Sequence, residues 1–243
     1  MIRWIYAFVD RPISTFEWSA AFWTAVTGTG LSPRRGQDRQ FATLLPPQGD
    51  PCLKLQGVHD DGGAHLDLCV ADPPAAQRVA TDLGAVIVEA HPGWSTMRSP
   101  GGQRFCLVPW HGEATRPEVV TGPDRASTRL DQVCIDLPPS LYDAEVAFWT
   151  AITGWECRSG SLPEFRLIKP PAAAPIQILL QRLETEQPTA AHLDLACSDP
   201  DTTRVLHEAA GAELVGRWPS WIVLRDPAGC VYRLTDRNPR TGA

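Results

Sequence analysis

The sequence predicts an α+β protein built from two tandem domains, because the chain repeats itself. The string FWTAVTG that begins at Phe22 returns as FWTAITG at Phe148, AHLDL at Ala64 returns at Ala191, and RSPGG at Arg98 corresponds to RDPAG at Arg225. The three blocks keep their order, and their separations differ by a single residue. Such self-similarity indicates a duplication, so each half can be compared with the other position by position.

Each predicted element of the first half follows from local patterning. A β-rich apolar run predicts a strand over Trp4–Asp10, and helical spacing predicts a helix over Phe16–Thr27 that Gly28 ends. Further strands are expected at Gln40–Leu45, Cys52–Gln56 and Ala64–Val70. Asp72 and Pro73 can open a second helix over Ala75–Leu83, and three strands follow at Ile87–Glu89, Ser95–Arg98 and Arg104–Val108.

The second half repeats this succession. Its predicted strands and helices, in chain order, are strand Gln132–Asp136, helix Asp143–Thr153, strands Glu164–Ile168, Gln177–Gln181 and His192–Ala196, helix Asp201–Ala210, and strands Glu213–Val215, Trp221–Leu224 and Val231–Thr235. We therefore expect a domain over residues 1–110, a linker rich in Pro, Gly and charge over 111–128, a second domain over 129–237, and a fraying tail over 238–243.

Composition excludes several classes of protein. The 243 residues are 43% hydrophobic and 21% charged, as in an ordinary globular protein, and the net charge of −6 argues against a nucleic-acid partner. No apolar run approaches the roughly 20 residues of a membrane helix, and the N-terminus lacks the regions of a signal peptide, so we expect a cytoplasmic protein. Seven cysteines without matched spacing predict reduced thiols that are mostly buried.

The repeated strings together resemble the vicinal oxygen chelate (VOC) superfamily, in particular its glyoxalase-like branch. The resemblance rests on the Phe-Trp helix ending in Thr-Gly, on His-Leu-Asp-Leu opening a strand, and on Asp-Pro-x-Gly before a last strand, and it covers residues 2–110 and 129–236. It implies two βαβββ modules per domain, forming a curled eight-stranded mixed sheet around a cavity. Members typically bind a divalent metal there and act as lyases, isomerases or dioxygenases, whereas bleomycin-resistance-like members sequester drugs without metal.

The histidines of the repeated strand are the first candidate site residues. Strand alternation puts His65 and Asp67 on the face opposite the leucines, and His192 and Asp194 likewise. All four are candidate catalytic residues, with His192 as a general base or hydrogen-bond donor oriented by Asp194. In the alternative interpretation, His and Asp merely satisfy each other in the core.

The metal ligands that the resemblance implies are incomplete. Tyr6 and Gln132 occupy the first-strand position, and the expected glutamate is replaced by Arg104 and Val231. A set without a carboxylate binds a divalent ion weakly, so we expect the metal site to be reduced or lost. No cofactor is firmly implied; the candidate is a divalent metal in the second domain, held by His192 and Gln132.

Matched aromatic and basic residues are candidate ligand-binding residues. Trp94 and Arg98 share one face of a strand, as do Trp221 and Arg225, and with Tyr6 and Arg104 they could provide a stacking wall and partners for an anionic or carbonyl group. Pairing of these arginines with a neighbouring acid at the turn is an equal alternative.

Three hypotheses for function remain open. The first is a small-molecule-binding protein for an apolar or aromatic ligand bearing an oxygen function; the second is a metal-dependent lyase, isomerase or dioxygenase using His192 and Gln132; the third is a non-catalytic scaffold. The expected partner is a small molecule, without nucleic acid or membrane. Module swapping occurs in the superfamily, so a homodimer is one assembly open to the chain.

Overall fold

The structure is a computed structural model and describes residues 1–242. Strands and helices alternate in each half as the repeat predicts. The first half comprises β1 (Ile2–Pro12), a 3-10 turn (Ile13–Thr15), α1 (Phe16–Thr27), β2 (Gly30–Leu31), β3 (Phe41–Leu45), β4 (Leu53–Val58), β5 (Gly63–Val70), α2 (Pro73–Asp82), β6 (Val86–His91), β7 (Trp94–Arg98) and β8 (Arg104–Pro109).

The second half repeats the strands and helices of the first, with the short strand β9 added before them and without the 3-10 turn. Its elements are β9 (Val120–Thr121), β10 (Ser127–Leu137), α3 (Tyr142–Thr153), β11 (Glu156–Ser159), β12 (Phe165–Lys169), β13 (Gln177–Arg182), β14 (Ala190–Cys197), α4 (Pro200–Ala209), β15 (Glu213–Arg217), β16 (Trp221–Arg225) and β17 (Val231–Thr235). Within residues 1–242, no helix has both the length and the apolar character needed to cross a bilayer.

The ends of the helices follow from their capping residues. Gly28 and Gly154 end α1 and α3 in the left-handed conformation, with φ of 59° and 67°. In that region a Cβ atom is strained, so glycine is favoured. The carboxylate of Asp72 accepts a hydrogen bond from the backbone amide of Ala75 at 2.9 Å and so caps α2, which confirms the predicted helix start.

The strands form two mixed sheets, one per half, which confirms the predicted fold class of two tandem α+β domains. The first sheet has the order β2-β3-β4-β1-β5-β8-β7-β6, and the second has the order β11-β12-β13-β10-β14-β17-β16-β15, with β9 added beside β10. The pair β5–β8 is parallel, and so is the pair β14–β17. The sheets are curled rather than closed.

Several short strands were absent from the prediction. β2 and β11 lie at sheet edges, and β9 lies inside the predicted linker. The side chains of β11 are largely exposed and polar, and Glu156 is opposite Lys169 of β12. Such strands lack the apolar alternation on which a sequence-based prediction depends.

Packing groups the chain into two compact units that each draw on both sequence halves. One unit comprises Met1–Ala7, His65–Ala114 and Val133–Ala191, and the other comprises Phe8–Ala64, Thr115–Gln132 and His192–Ala243. The predicted domain limits stay a prediction, because hydrogen bonding follows the sequence halves whereas packing does not.

In the first unit, helix α3 packs on strand β8. The rings of Phe148 and Trp149 lie 5.7 and 5.4 Å from that of Phe105. The fully buried Glu145 of α3 accepts hydrogen bonds from the Ser99 hydroxyl, the Gly101 amide and the Trp149 indole. Burial raises the pKa of Glu145, although these three bonds oppose the rise.

In the second unit, helix α1 packs on strand β17. Trp23 lies 5.2 Å from Tyr232, ring to ring, and its indole donates a hydrogen bond to Asp226 at 3.1 Å. Arg11, which is 2% exposed, donates from Nε to the same carboxylate at 2.6 Å. All seven cysteines are free, and five of them are buried, as predicted.

Candidate functional site

The repeated His-x-Asp pair of the first half lies on one buried face of β5. The leucines at 66 and 68 are fully buried on the other face, and His65 Nε2 lies 3.9 Å from the Asp67 carboxylate. Asp67 is directly opposite Cys106 of β8 in the parallel register. The potential ligand atoms of His65, Asp67 and Cys106 all lie within 4.8 Å of one another.

Cys106 was not among the residues selected from the sequence. Burial raises the pKa of its thiol, while a hydrogen bond with His65 opposes that rise. The sequence pointed instead to Arg104, two residues earlier on the same strand. Alternation places both on one face, and the register of β8 against β5 puts Cys106 opposite Asp67.

Tyr6 is hydrogen-bonded to the segment that follows β8. Its hydroxyl donates a hydrogen bond to Glu113 at 2.8 Å, and the other carboxylate oxygen of Glu113 accepts from the His111 amide at 3.0 Å. Burial and the neighbouring Glu113 carboxylate both raise the pKa of Tyr6. The phenol is therefore held protonated, as a donor rather than as an anionic metal ligand.

The second half has the same His-x-Asp pair but a different partner strand. His192 Nδ1 lies 3.0 Å from the Asp194 carboxylate, and both side chains are buried. Asp194 is directly opposite Arg233 of β17, at the position that Cys106 occupies in the first half. Gln132, which is 2% exposed, lies on the neighbouring strand β10.

Arg233 also lies close to one of two stacked tryptophans. Its guanidinium lies 5.7 Å from the ring centroid of Trp221. Trp218 lies in the turn between β15 and β16. Its ring is stacked nearly parallel to that of Trp221, with centroids 6.0 Å apart and an interplanar angle of 11°. The structure thus brings Trp221, Arg233 and Asp194 onto one side of β14, β16 and β17.

The predicted ligand-binding arginines next to the turns are exposed to solvent. Arg225 is exposed and donates a hydrogen bond to the Gly229 carbonyl at 2.6 Å, so it holds the turn through a backbone group rather than an acid. Arg98 is exposed and lies directly opposite Arg104. Trp94 is stacked on His91 at 3.7 Å between ring centroids.

The two halves differ in how well their donors fit a metal ion. In the first half, imidazole, carboxylate and thiol are donors that borderline-soft divalent ions such as Zn²⁺ accept, and the three converge. In the second half, the residue opposite Asp194 is Arg233, at the position that Cys106 occupies in the first half. A guanidinium has no lone pair to offer a metal ion, so this strand adds no ligand to His192 and Asp194.

Comparisons with known proteins agree with this fold. The model of the glyoxalase-like domain matches twice, at residues 7–108 and 132–235. No curated protein matches the sequence.

Similar solved structures include a mutant of 4-hydroxymandelate synthase from Streptomyces coelicolor (14% identity, TM-score 0.65, covering 98% of this chain and 93% of that one). They also include 2,2',3-trihydroxybiphenyl 1,2-dioxygenase from Sphingomonas wittichii (14%, 0.63, covering 97% and 90%). A third is homoprotocatechuate 2,3-dioxygenase from Arthrobacter globiformis (13%, 0.61, covering 97% and 79%). At such identities the likeness establishes the fold, and the two matches of the family model establish that the chain belongs to the glyoxalase-like domain family.

Proposed function

We propose that the chain is a small-molecule-binding protein whose site lies in the second half, on the face of β14, β16 and β17. The ligand is an aromatic or apolar compound with an anionic or carbonyl oxygen, and no resident metal is required. The observation that carries this proposal is the position of Arg233, directly opposite Asp194 and 5.7 Å from the Trp221 ring.

The chemistry of the three side chains supports this choice of ligand. A guanidinium beside an indole offers planar hydrogen-bond donors next to an apolar stacking surface. A benzoate-like molecule can place its ring on Trp221 and its oxygens on Arg233. In this arrangement, the arginine supplies the positive charge that a metal supplies elsewhere in the VOC superfamily.

His192 and Asp194 are the buried polar residues of the proposed site. The carboxylate of Asp194 lies 3.0 Å from Nδ1 of His192, so Nε2, on the other side of the ring, points away from the acid. In this proposal, His192 binds the ligand as imidazolium, in which both ring nitrogens carry protons, and Nε2 donates a hydrogen bond to a ligand oxygen. The assignment makes His192 a binding residue rather than a proton-transfer group.

The experiment is a titration of the full chain with benzoate and with its neutral analogue benzamide, followed by tryptophan fluorescence and calorimetry. Benzoate should bind and benzamide should bind more weakly, because the amide carries no charge. Arg233→Met should weaken benzoate binding about 10- to 100-fold, since a charge-assisted hydrogen bond is lost. Arg204→Met is the control, because Arg204 pairs with Glu208 on the surface of α4. Absence of any ligand response would favour the scaffold hypothesis.

A metal-assisted reaction in the first half is the second candidate, because His65, Asp67 and Cys106 converge within 4.8 Å. A bound divalent ion would supply Lewis-acid chemistry, and these three residues would hold it. Metal analysis of protein purified without chelator tests this function. A stoichiometric ion lost in His65→Ala and Cys106→Ala, but kept in the Cys157→Ala control, would support it; protein free of metal would contradict it.

A further inference from the structure

A cleft in the second compact unit lies away from the His192 face. It is bordered by the end of α1, by strands β3 and β4 and by the start of β10, and it is open to solvent on one side. Leu195 of β14 lines it, whereas His192 and Asp194 point to the opposite side of that strand. The cleft is therefore separate from the site proposed above.

Aliphatic side chains form most of the wall of this cleft. Its lining includes Val26, Leu44, Leu53, Val120, Leu130 and Leu195, together with three prolines, and no aromatic residue. A wall of this kind favours a flexible aliphatic group over a flat aromatic ring, for which stacking partners are missing.

One side of the cleft carries an arginine with an unsatisfied donor. Arg129 lines the cleft, and its Nε is buried without an acceptor among residues 1–242. Its Nη2 donates to the Arg240 carbonyl at 3.1 Å, and its Nη1 lies 3.5 Å from the Pro117 carbonyl. The buried Nε of Arg116 likewise has no acceptor in the described chain. Two buried donors without acceptors are costly unless a ligand satisfies them.

The charges around the cleft are also mostly positive. Burial lowers the pKa of Arg129 to about 10, and the nearby Arg116 lowers it further, while Asp131 opposes the effect. Asp131 is already bound by Arg237 at 2.9 Å. Glu118 also lines the cleft, but its side chain is exposed to solvent. Burial raises the pKa of Cys52 to about 12, so this thiol stays neutral.

We propose that this cleft binds a small aliphatic monocarboxylate, with the carboxylate on Arg129, the positive charge of Arg116 nearby, and the aliphatic group among the leucines and valines. A planar carboxylate accepts two parallel hydrogen bonds from a guanidinium, which would satisfy the orphan Nε donor. The anion would also relieve the repulsion between the two arginines. This site is independent of the proposed function, and neither requires the other.

The test is calorimetric titration of the full chain with hexanoate, hexanamide and inorganic phosphate. We expect one hexanoate per chain, with hexanamide and phosphate each bound at least about tenfold more weakly, because one lacks the charge and the other the apolar group. Arg129→Met should weaken hexanoate binding about 10- to 100-fold, because a charge-assisted hydrogen bond is lost. Arg116→Met should weaken it about 3- to 10-fold, because only a neighbouring charge is lost. Arg204→Met serves as the surface control, and Arg233→Met distinguishes this cleft from the aromatic site; both should leave hexanoate binding unchanged.

A thermal melt accompanies each variant. Without ligand, Arg129→Met should unfold at the same temperature as the unaltered chain or higher, since the substitution removes a buried, repelled charge. Arg116→Met gives an independent result if Arg129→Met fails to fold. Failure of hexanoate to bind, phosphate binding as tight as hexanoate, or hexanoate binding unaffected by both arginine substitutions would overturn the proposal.

Discussion

At the scale of single residues, Asp226 is the acid on which the packing of α1 depends. It accepts hydrogen bonds from Arg11 at 2.6 Å and from the Trp23 indole at 3.1 Å, and all three side chains are buried. Asp226→Ala would leave the guanidinium of Arg11 buried without a counter-charge. We expect it to lower the free energy of unfolding by about 3–5 kcal/mol, as measured by urea denaturation.

The matched control for this prediction is Asp201→Ala. Asp201 pairs with Arg217 on the surface, where both side chains are more than half exposed. Exposed ion pairs contribute little, so a loss below about 1 kcal/mol is expected there. Equal effects of the two substitutions would contradict the role assigned to Asp226.

His207 gives the protein a predictable response to acid. It is 2% exposed, its Nδ1 lies 2.8 Å from the Tyr232 hydroxyl, and burial lowers its pKa from 6.5 to about 4. As pH falls from about 6.5 to about 4, the unfolded chain binds a proton before the folded chain does, so stability declines. His207→Gln should make the decline shallower by up to about 3 kcal/mol.

Urea denaturation at pH about 7 and about 4.5 measures that difference. His59→Gln is the control, because His59 is exposed and its substitution should leave the decline unchanged. A decline that is the same in all three proteins would exclude His207 as its source.

At the scale of elements, the two Phe-Trp helices offer a matched pair of C-terminal glycines. Gly28 and Gly154 both have positive φ, but an added Cβ at Gly28 would lie 3.1 Å from a methyl carbon of Val120, whereas none of the neighbouring atoms lies within 4 Å at Gly154. Gly154→Ala should therefore cost only the left-handed conformation, about 1 kcal/mol. Gly28→Ala should cost about 1 kcal/mol more, because Val120 must move.

Thermal and urea denaturation of the two alanine variants provide the comparison. The last seven residues of the two helices, AFWTAVT and AFWTAIT, are nearly the same, so differences in helix propensity close to the two glycines cancel. If both substitutions cost the same, the contact between Gly28 and Val120 has no energetic consequence.

The elements themselves could be predicted because their signals are local. α1 has the predicted limits, Phe16–Thr27, since its apolar spacing and its terminal glycine both lie in one stretch of chain. The face shared by His65 and Asp67 follows from alternation in the same way. Edge strands such as β11 were missed because they are polar and find their partner only through backbone hydrogen bonds.

The candidate site was only partly predictable because it depends on register between distant strands. Cys106 and Arg233 face the two His-x-Asp pairs through the parallel register of β5–β8 and β14–β17. The sequence indicates that these positions differ between the halves, but not that they meet the aspartates. Arg104, selected from the sequence, lies two residues from the position in register with Asp67.

At the scale of the whole molecule, the two compact units place an acid and a serine at equivalent positions, but in reverse. In the first unit, helix α3 contributes the acid Glu145, and the turn before β8 contributes Ser99. In the second unit, the equivalent turn contributes the acid Asp226, and the equivalent helix position is the buried Ser19. In each unit a buried acid accepts a hydrogen bond from the helix tryptophan, but the acid belongs to the helix in the first unit and to the turn in the second. This difference indicates that each helix is adapted to a module from the other half of the sequence.

This pairing predicts that neither half of the sequence folds alone. A fragment of residues 1–117 would contain α1 without Tyr232 and Asp226, and β8 without the ring of Trp149, so apolar surface that is buried in the full chain would face water. We expect each isolated half to lack a cooperative thermal transition by circular dichroism. An equimolar mixture of the two halves should regain that transition and elute as a one-to-one complex, because the contacts that define each compact unit are restored. The full chain is the reference for both measurements, and a half that melts cooperatively as a monomer would contradict the dependence of each unit on both halves.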